Sequence, residues 1–286
     1  MTKVLFLVWM LVQEPTVEQL IRQLGADDFD DRNRATRELR KRGLDALPHL
    51  KEAAESKDVE VVTRARDVLG LILEDFGQST LRSFEEAIER APSIRISSAA
   101  SQPNPAVGFT GEGTLWRKPG GKLRIISQGS LSEDKWKGLL VSDGERMLLE
   151  TVGRHGTREW GTSKDSWPTV RAAAARVAAL TSANIWAYVR IKAVPVPELF
   201  RLEAWKPGAE GNYRTLEYSI SWQGEDPLPV PTPTDIKVWY DPTTFRPIKR
   251  LLTFSSAKNA PQVLEQFDYE IDISEEVFRV PVGKQK

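Results

Sequence analysis

Residues 111–126 read GEGTLWRKPGGKLRII, two alternating stretches separated by Pro119, Gly120 and Gly121. In the second stretch Arg124 separates Leu123 from Ile125, and in the first Leu115 follows the polar Thr114. Alternation with a period of two is typical of a half-buried β-strand, and Pro-Gly-Gly is a turn sequence. The segment therefore predicts a β-hairpin, with strands over 108–118 and 122–131.

The same alternation continues along the chain on both sides of this hairpin. Further predicted strands cover 94–101, 136–142, 146–153, 198–206, 213–223, 235–240, 247–255 and 263–271. The turn pairs Asp143-Gly144, Pro207-Gly208 and Asp241-Pro242 separate several of them. An Ala-rich helix, capped by Ser166 and running over 170–180, interrupts the strands. About ten strands in sequential hairpins predict one strongly curved antiparallel sheet or open barrel, with this helix over its mouth.

Upstream of the strands, the apolar spacing becomes helical. Thr16 and Gln19 form a capping box for a first helix, and Asp28 and Asp58 are placed to begin two others. Four short helices with tight connections predict two helical hairpins over 15–76. An amphipathic helix beginning near Leu81 follows and ends before Pro92. The fold class is therefore α+β in two parts, a helical module over 15–76 and a sheet domain over 77–286.

Residues 1–14 contain an apolar run from Val4 to Val12. Nine residues cannot span a bilayer, which needs about 20, so no transmembrane span is expected. The run matches the apolar region of a signal peptide, although Gln13, Glu14 and Pro15 supply no small-residue cleavage site. Two interpretations stay open: export, for example to the periplasm, or a short apolar element of a cytoplasmic protein.

The composition limits the chemistry of this 286-residue chain. Lys and Arg number 40 and Asp and Glu also number 40, so broad electrostatic capture of nucleic acid is not expected. The absence of Cys excludes disulfides, thiolate zinc sites and Cys nucleophiles. The two histidines, His49 and His155, have no partner at metal or catalytic spacing. We expect no enzyme activity, no catalytic residues, no metal and no cofactor.

The helical segment from Leu47 to Ile72 resembles HEAT repeats. It has a proline at Pro48, an inter-helix aspartate at Asp58, and the Val61–Arg64 pair. Two hairpins are fewer than a solenoid usually needs to bury its faces. The resemblance implies a module that binds a protein partner, and a structural cap is the alternative.

The sheet domain resembles the LolA/LolB-like periplasmic lipoprotein carriers over about residues 81–281. The resemblance rests on five ordered stretches: "GEGTLWRKP" at 111–119, "KLR" at 122–124, "LVSDG" at 140–144, "KVWYDPTTFRPIK" at 237–249 and "EVFRVP" at 276–281. It implies an open barrel of about eleven strands, covered by helices and holding an apolar cavity. In these carriers, an arginine before the strand-ending proline ties the lid to the barrel. Lys118 occupies that position here, so it is the candidate lid latch, although lysine cannot make the same planar fork.

From this resemblance and the strand alternation, we expect non-catalytic binding of an apolar ligand, the acyl chain of a lipid or lipoprotein. The predicted lining residues are Leu115, Leu123, Ile125, Leu140, Tyr218, Ile220, Trp222, Leu252 and Phe254. The protein would act as an extracytoplasmic carrier or chaperone. The alternative is an envelope signalling or scaffold protein of the same fold, with a filled core and residues 15–76 as its partner-binding surface.

Overall fold

A computed structural model describes residues 14–101, 109–131, 134–152, 158–162, 200–222, 235–253 and 262–281. The chain divides into two compact units, Met1–Gln78 and Ser79–Lys286. Four of the predicted features lie outside the described residues: the apolar run Val4–Val12, His155, the Ala-rich helix over 170–180, and Phe254.

The first unit is helical. Its elements are α1 (Val17–Leu24), α2 (Phe29–Arg42), a 3-10 turn (Gly43–Ala46), α3 (Leu47–Ala53) and the start of α4 (Val59–Arg90). The predicted capping box at Thr16 is present, and the Asp28 carboxylate accepts hydrogen bonds from two backbone N–H groups of α2. The core of the unit consists of apolar residues from all four helices, chiefly Leu20, Leu24, Leu39, Leu50, Val68 and Ile72. The HEAT-like assignment stays a prediction.

Helix α4 differs from the sequence-based expectation. Two helices were expected, separated near residues 76–80, whereas one helix runs without a break from Val59 to Arg90. The joining segment 76–80 contains one glycine, Gly77, which is its poorest helix former. Glycine costs about 1 kcal/mol in a helix interior. This cost is too small to end the helix here, because the segments before and after Gly77 both carry buried apolar side chains.

The second unit contains the last part of α4 and an eleven-stranded sheet. The strands are β1 (Ile94–Ser101), β2 (Phe109–Lys118), β3 (Lys122–Leu131), β4 (Asp134–Asp143), β5 (Arg146–Val152), β6 (Arg158–Thr162), β7 (Phe200–Glu210), β8 (Tyr213–Trp222), β9 (Asp235–Tyr240), β10 (Pro247–Thr253) and β11 (Gln262–Tyr269). Their order is β6-β5-β4-β3-β2-β1-β11-β10-β9-β8-β7, with antiparallel pairing throughout. The predicted open antiparallel sheet with helices is confirmed.

Two details of the predicted sheet were wrong. Strand β6 was not predicted at all. Pro207 and Gly208 were predicted as a turn, but they lie inside β7 and are paired with Leu216 and Thr215. The turn comes later, at Gly211, whose φ is 58°. A proline is tolerated there because β7 is an edge strand, which does not need every N–H for pairing.

The sheet has two faces, which we call inner and outer. The inner face carries Leu115 and Ile96, and the last turns of α4 contact it through Phe84, whose ring lies 4.9 Å from that of Tyr240. The outer face is contacted by the C-terminal segment, in which Val280 packs against Val141 and Leu148. None of the helices in the described ranges combines the length and apolarity that a bilayer crossing requires.

Candidate functional site

Most of the predicted lining residues lie on the inner face. Leu115, Ile125 and Leu140 are direct cross-strand partners in β2, β3 and β4, and directly opposed residues point to the same face of a sheet. The same holds for Tyr218 and Leu252, which both pair with Ile236. Leu115, Leu123, Ile125, Leu140, Tyr218 and Leu252 are all at most 5% exposed. Their burial fits either a packed core or a ligand cavity, so their role in binding stays a prediction.

Two further lining residues are less well defined. Ile220 is half-buried and pairs with Leu202, on the same face as Tyr218. Trp222 belongs to β8 and pairs with Phe200. Ile220 therefore extends the predicted lining along β8, next to edge strand β7.

A row of polar and very small residues crosses the inner face. It runs through six adjacent strands and consists of Arg250, Glu265, Ser98, Gly113, Ser127 and Gly138, each paired with the next. All six are buried. On one side the row is bordered by a second row of large apolar residues, namely Phe267, Ile96, Leu115, Ile125 and Leu140.

We call the part of this row in β1–β4 the small-residue groove: Ser98, Gly113, Ser127 and Gly138. Next to it, Gly111 and Gly129 are paired at the following inner-face position. The sheet therefore projects almost no side-chain volume along this line. Strands lie about 4.8 Å apart, so the groove from β1 to β4 is about 14 Å long. An extended acyl chain is a ligand with this narrow, linear shape.

At the end of this groove lies a buried ion pair. Arg250 Nε donates to Glu265 Oε2 over 2.6 Å, and Arg250 Nη2 is 2.5 Å from the same oxygen. The Arg250 and Glu265 side chains are 5% and 0% exposed. The other carboxylate oxygen, Glu265 Oε1, is buried and has no hydrogen-bond partner among the described residues.

Burial raises the pKa values of two ionisable side chains on the inner face. Burial raises the pKa of Glu265, and the adjacent Arg250 charge opposes that shift. Tyr218 is buried close enough to feel both charges, and burial raises its pKa to about 12. The phenol is therefore neutral at physiological pH and serves as a polar but uncharged part of the wall.

Beside Tyr218, a β-bulge brings a second aromatic ring to the inner face. The β7–β8 register shifts between Glu203 and Lys206, and Ala204 has a φ of 55°. The extra residue turns Trp205 inward, where its ring stacks on Tyr218 with centroids 5.1 Å apart. Bulges redirect side chains in this way at functional sites.

Two neighbouring residues at the end of β2 point to opposite faces. Arg117, 8% exposed, donates from Nη2 to the backbone carbonyls of Ile88 and of Ala91, the latter over 3.1 Å. Lys118 is paired with Glu275 on the outer face, Nζ to Oε1 3.2 Å, and its role as lid latch stays a prediction. Arg117 thus supplies a charged donor to carbonyls at the C-terminal end of α4, where the Ile88 carbonyl also accepts from the Ala91 N–H.

Sequence reasoning missed Arg117, Arg250 and Glu265. The signal for Glu265 was present, because it follows Val263 and precedes Phe267 at the same period-two spacing. A charged residue at a position where alternation predicts an apolar one is the mark of a buried, partnered charge. In the described residues, no cluster of His, Asp and Glu could hold a metal ion.

No protein-family model matches the chain, and no curated protein matches it. Several solved structures are similar at low identity. The lipoprotein LppX of Mycobacterium tuberculosis is 8% identical with a TM-score of 0.35, covering 70% of this chain and 98% of its own. LprF of Mycobacterium bovis is 11% identical with a TM-score of 0.36, covering 73% and 98%.

The MucA/MucB complex of Pseudomonas aeruginosa is also similar, at 12% identity and a TM-score of 0.33. The match covers 72% of this chain and 61% of that one. Identities and TM-scores this low say nothing about what the present chain binds.

Proposed function

We propose that the protein binds the acyl chain of a lipid or lipoprotein on the inner face of its sheet, without chemistry, as an exported carrier or chaperone. The observation that carries this proposal is the small-residue groove, which lies between a row of large apolar side chains and the paired Gly111 and Gly129. Each methylene buried there would contribute about 0.8 kcal/mol.

The proposal predicts a co-purifying ligand. Native mass spectrometry of the full chain, purified from a membrane-containing host, should show an added mass near one equivalent. Solvent extraction and lipid analysis would then name its class. A clean apo mass that does not change on addition of palmitoyl probes would contradict acyl-chain binding.

A variant that fills the groove tests its location. Gly113→Leu places a large side chain in the groove, so the protein should stay folded and lose the bound lipid. Thr114→Leu is the matched control, because the adjacent position lies on the outer face and binding should be unchanged. A large fall in the melting temperature of Gly113→Leu would instead indicate a filled core.

The alternative function, an envelope scaffold that binds a protein partner through residues 15–76, has one observation in its favour. Phe29 is 63% exposed and Val59 is 77% exposed. Large apolar side chains in such positions are candidates for a contact surface. If this alternative holds, the wild-type protein should not bind lipid and should cross-link to a partner protein in its native host. The Phe29→Ser/Val59→Ser variant should lose that cross-link.

A further inference from the structure

The buried Arg250–Glu265 pair does not have an obvious structural purpose. A buried ion pair is weak evidence for stability, because a well-packed apolar pair in its place is often equally stable or more so. This pair also contains a buried oxygen without a hydrogen-bond partner in the described part of the chain, which destabilises the folded protein. Glu265 Oε1 is such an oxygen. The presence of the Arg250–Glu265 pair in an apolar face therefore needs another explanation.

The position of Glu265 supplies one. It is directly opposite Ser98, the first residue of the small-residue groove. Glu265 therefore occupies the next position in the row, where a linear apolar chain in the groove would end. Its partner, Arg250, lies on the other side, in β10, and already holds the second oxygen.

We propose that Glu265 Oε1 accepts a hydrogen bond from the polar group at the base of the bound acyl chain, an amide N–H or a hydroxyl. This inference rests on the proposed function and names the ligand class more narrowly. The pair as a whole is neutral, because Arg250 balances Glu265. A neutral donor such as an amide fits the pair, whereas an ionic headgroup would be left without a counter-charge in a buried site.

Two probes of equal length separate this inference from acyl binding in general. N-methylpalmitamide carries one N–H, and methyl palmitate replaces that N–H with an oxygen that cannot donate. The wild-type protein should bind the amide at least about tenfold more tightly, as expected for one hydrogen bond to a charged acceptor. Competition against a fluorescent fatty-acid probe measures both affinities.

The double variant Arg250→Met/Glu265→Leu removes both charges and leaves neither unpaired. It should bind the two probes equally, within about twofold, because the donor has lost its acceptor. The matched control is Arg95→Met/Asp268→Leu, an exposed pair on the outer face of β1 and β11, 2.9 Å apart. This control should keep the wild-type preference for the amide.

Failure of the inference and failure of the proposed function look different. If the wild-type protein binds both probes equally, the Glu265 contact is wrong, but acyl binding stands. If it binds neither probe, the proposed function fails, and the inference fails with it. Should the double variant not fold, the amide-to-ester ratio of the wild-type protein still decides.

Discussion

At the scale of single residues, Arg117 and Lys118 show how adjacent cations in one strand acquire different roles. Arg117 reaches the C-terminal carbonyls of α4 on the inner face, and Lys118 pairs with an exposed carboxylate on the outer face. A buried, charge-assisted contact to several carbonyls is worth far more than an exposed ion pair. The sequence alone could not rank them, because both precede Pro119.

Replacing Arg117 should therefore destabilise the sheet unit. We expect Arg117→Met to cost about 2–3 kcal/mol, because it removes a buried charged donor from the carbonyls of Ile88 and Ala91. Lys118→Met is the control and should have well under half of that effect. Urea unfolding monitored by circular dichroism measures both. Equal effects of the two variants would contradict the assignment of Arg117 as the residue that holds α4.

A second residue-scale prediction concerns pH and the helical unit. The Arg40 hydrogen bond lowers the pKa of Asp75 below its ordinary value of 3.8. A carboxyl with a lowered folded-state pKa contributes stability above its unfolded pKa and loses it as the pH falls. Asp75→Asn should thus lower the melting temperature slightly at pH 7. The difference from wild type should shrink below about pH 4. A difference that is constant from pH 7 to pH 3 would disprove the linkage.

Much of the candidate site could be read from the sequence at this scale. Period-two alternation places Leu115, Ile125 and Leu140 on one face, and the register confirms their common face. The alternation could not show that Glu265 is paired with Arg250, because that contact depends on the β10–β11 register. The small-residue groove could not be predicted either, because its residues lie in four different strands: Ser98, Gly113, Ser127 and Gly138.

At the scale of elements, hairpins were predicted well and interruptions were not. Strands β1, β3 and β9 have the bounds that alternation predicts. The bulge at Ala204 was missed because it changes the phase of the alternation within one strand. Helix α4 was divided in two because residues up to 76 were assigned to the helical module and the helix beginning near Leu81 to the sheet domain, whereas one helix runs from Val59 to Arg90.

The two turns at Gly120 and Gly144 are coupled, and this gives an element-scale prediction. Both glycines have positive φ, 77° and 99°. A Cβ on Gly144 would collide with the carbonyl oxygen of Gly120, whereas a Cβ on Gly120 would meet no atom within 4 Å.

We expect Gly120→Ala to cost about 1–2 kcal/mol, the usual penalty for a left-handed backbone. Gly144→Ala should cost at least about 1 kcal/mol more, because backbone must also move. Thermal unfolding of the two variants measures the difference. If Gly120→Ala were as harmful as Gly144→Ala, the close approach of the two turns would be wrong.

At the scale of the whole molecule, the proposed binding site lies within one compact unit. All strands and the end of α4 belong to Ser79–Lys286. A chain comprising residues 79–286 should therefore fold and keep its affinity for the palmitoyl probe within about twofold. Circular dichroism and the competition assay test this. Loss of binding by a folded fragment would show that the helical unit contributes to the site.

The pairing of β1 with β11 has a consequence for biosynthesis. The first and last strands of the sheet meet in its centre, and next to them the Ser93 hydroxyl donates over 2.6 Å to the carbonyl of Ile271, 178 residues later. Strands β1–β6 and β7–β11 can each form from local hairpins as they leave the ribosome, but this seam must wait for β11. Such distant contacts make folding slow. Until then, two half-sheets expose unpaired central edges, so the emerging chain depends on protection from aggregation until its last strand is made.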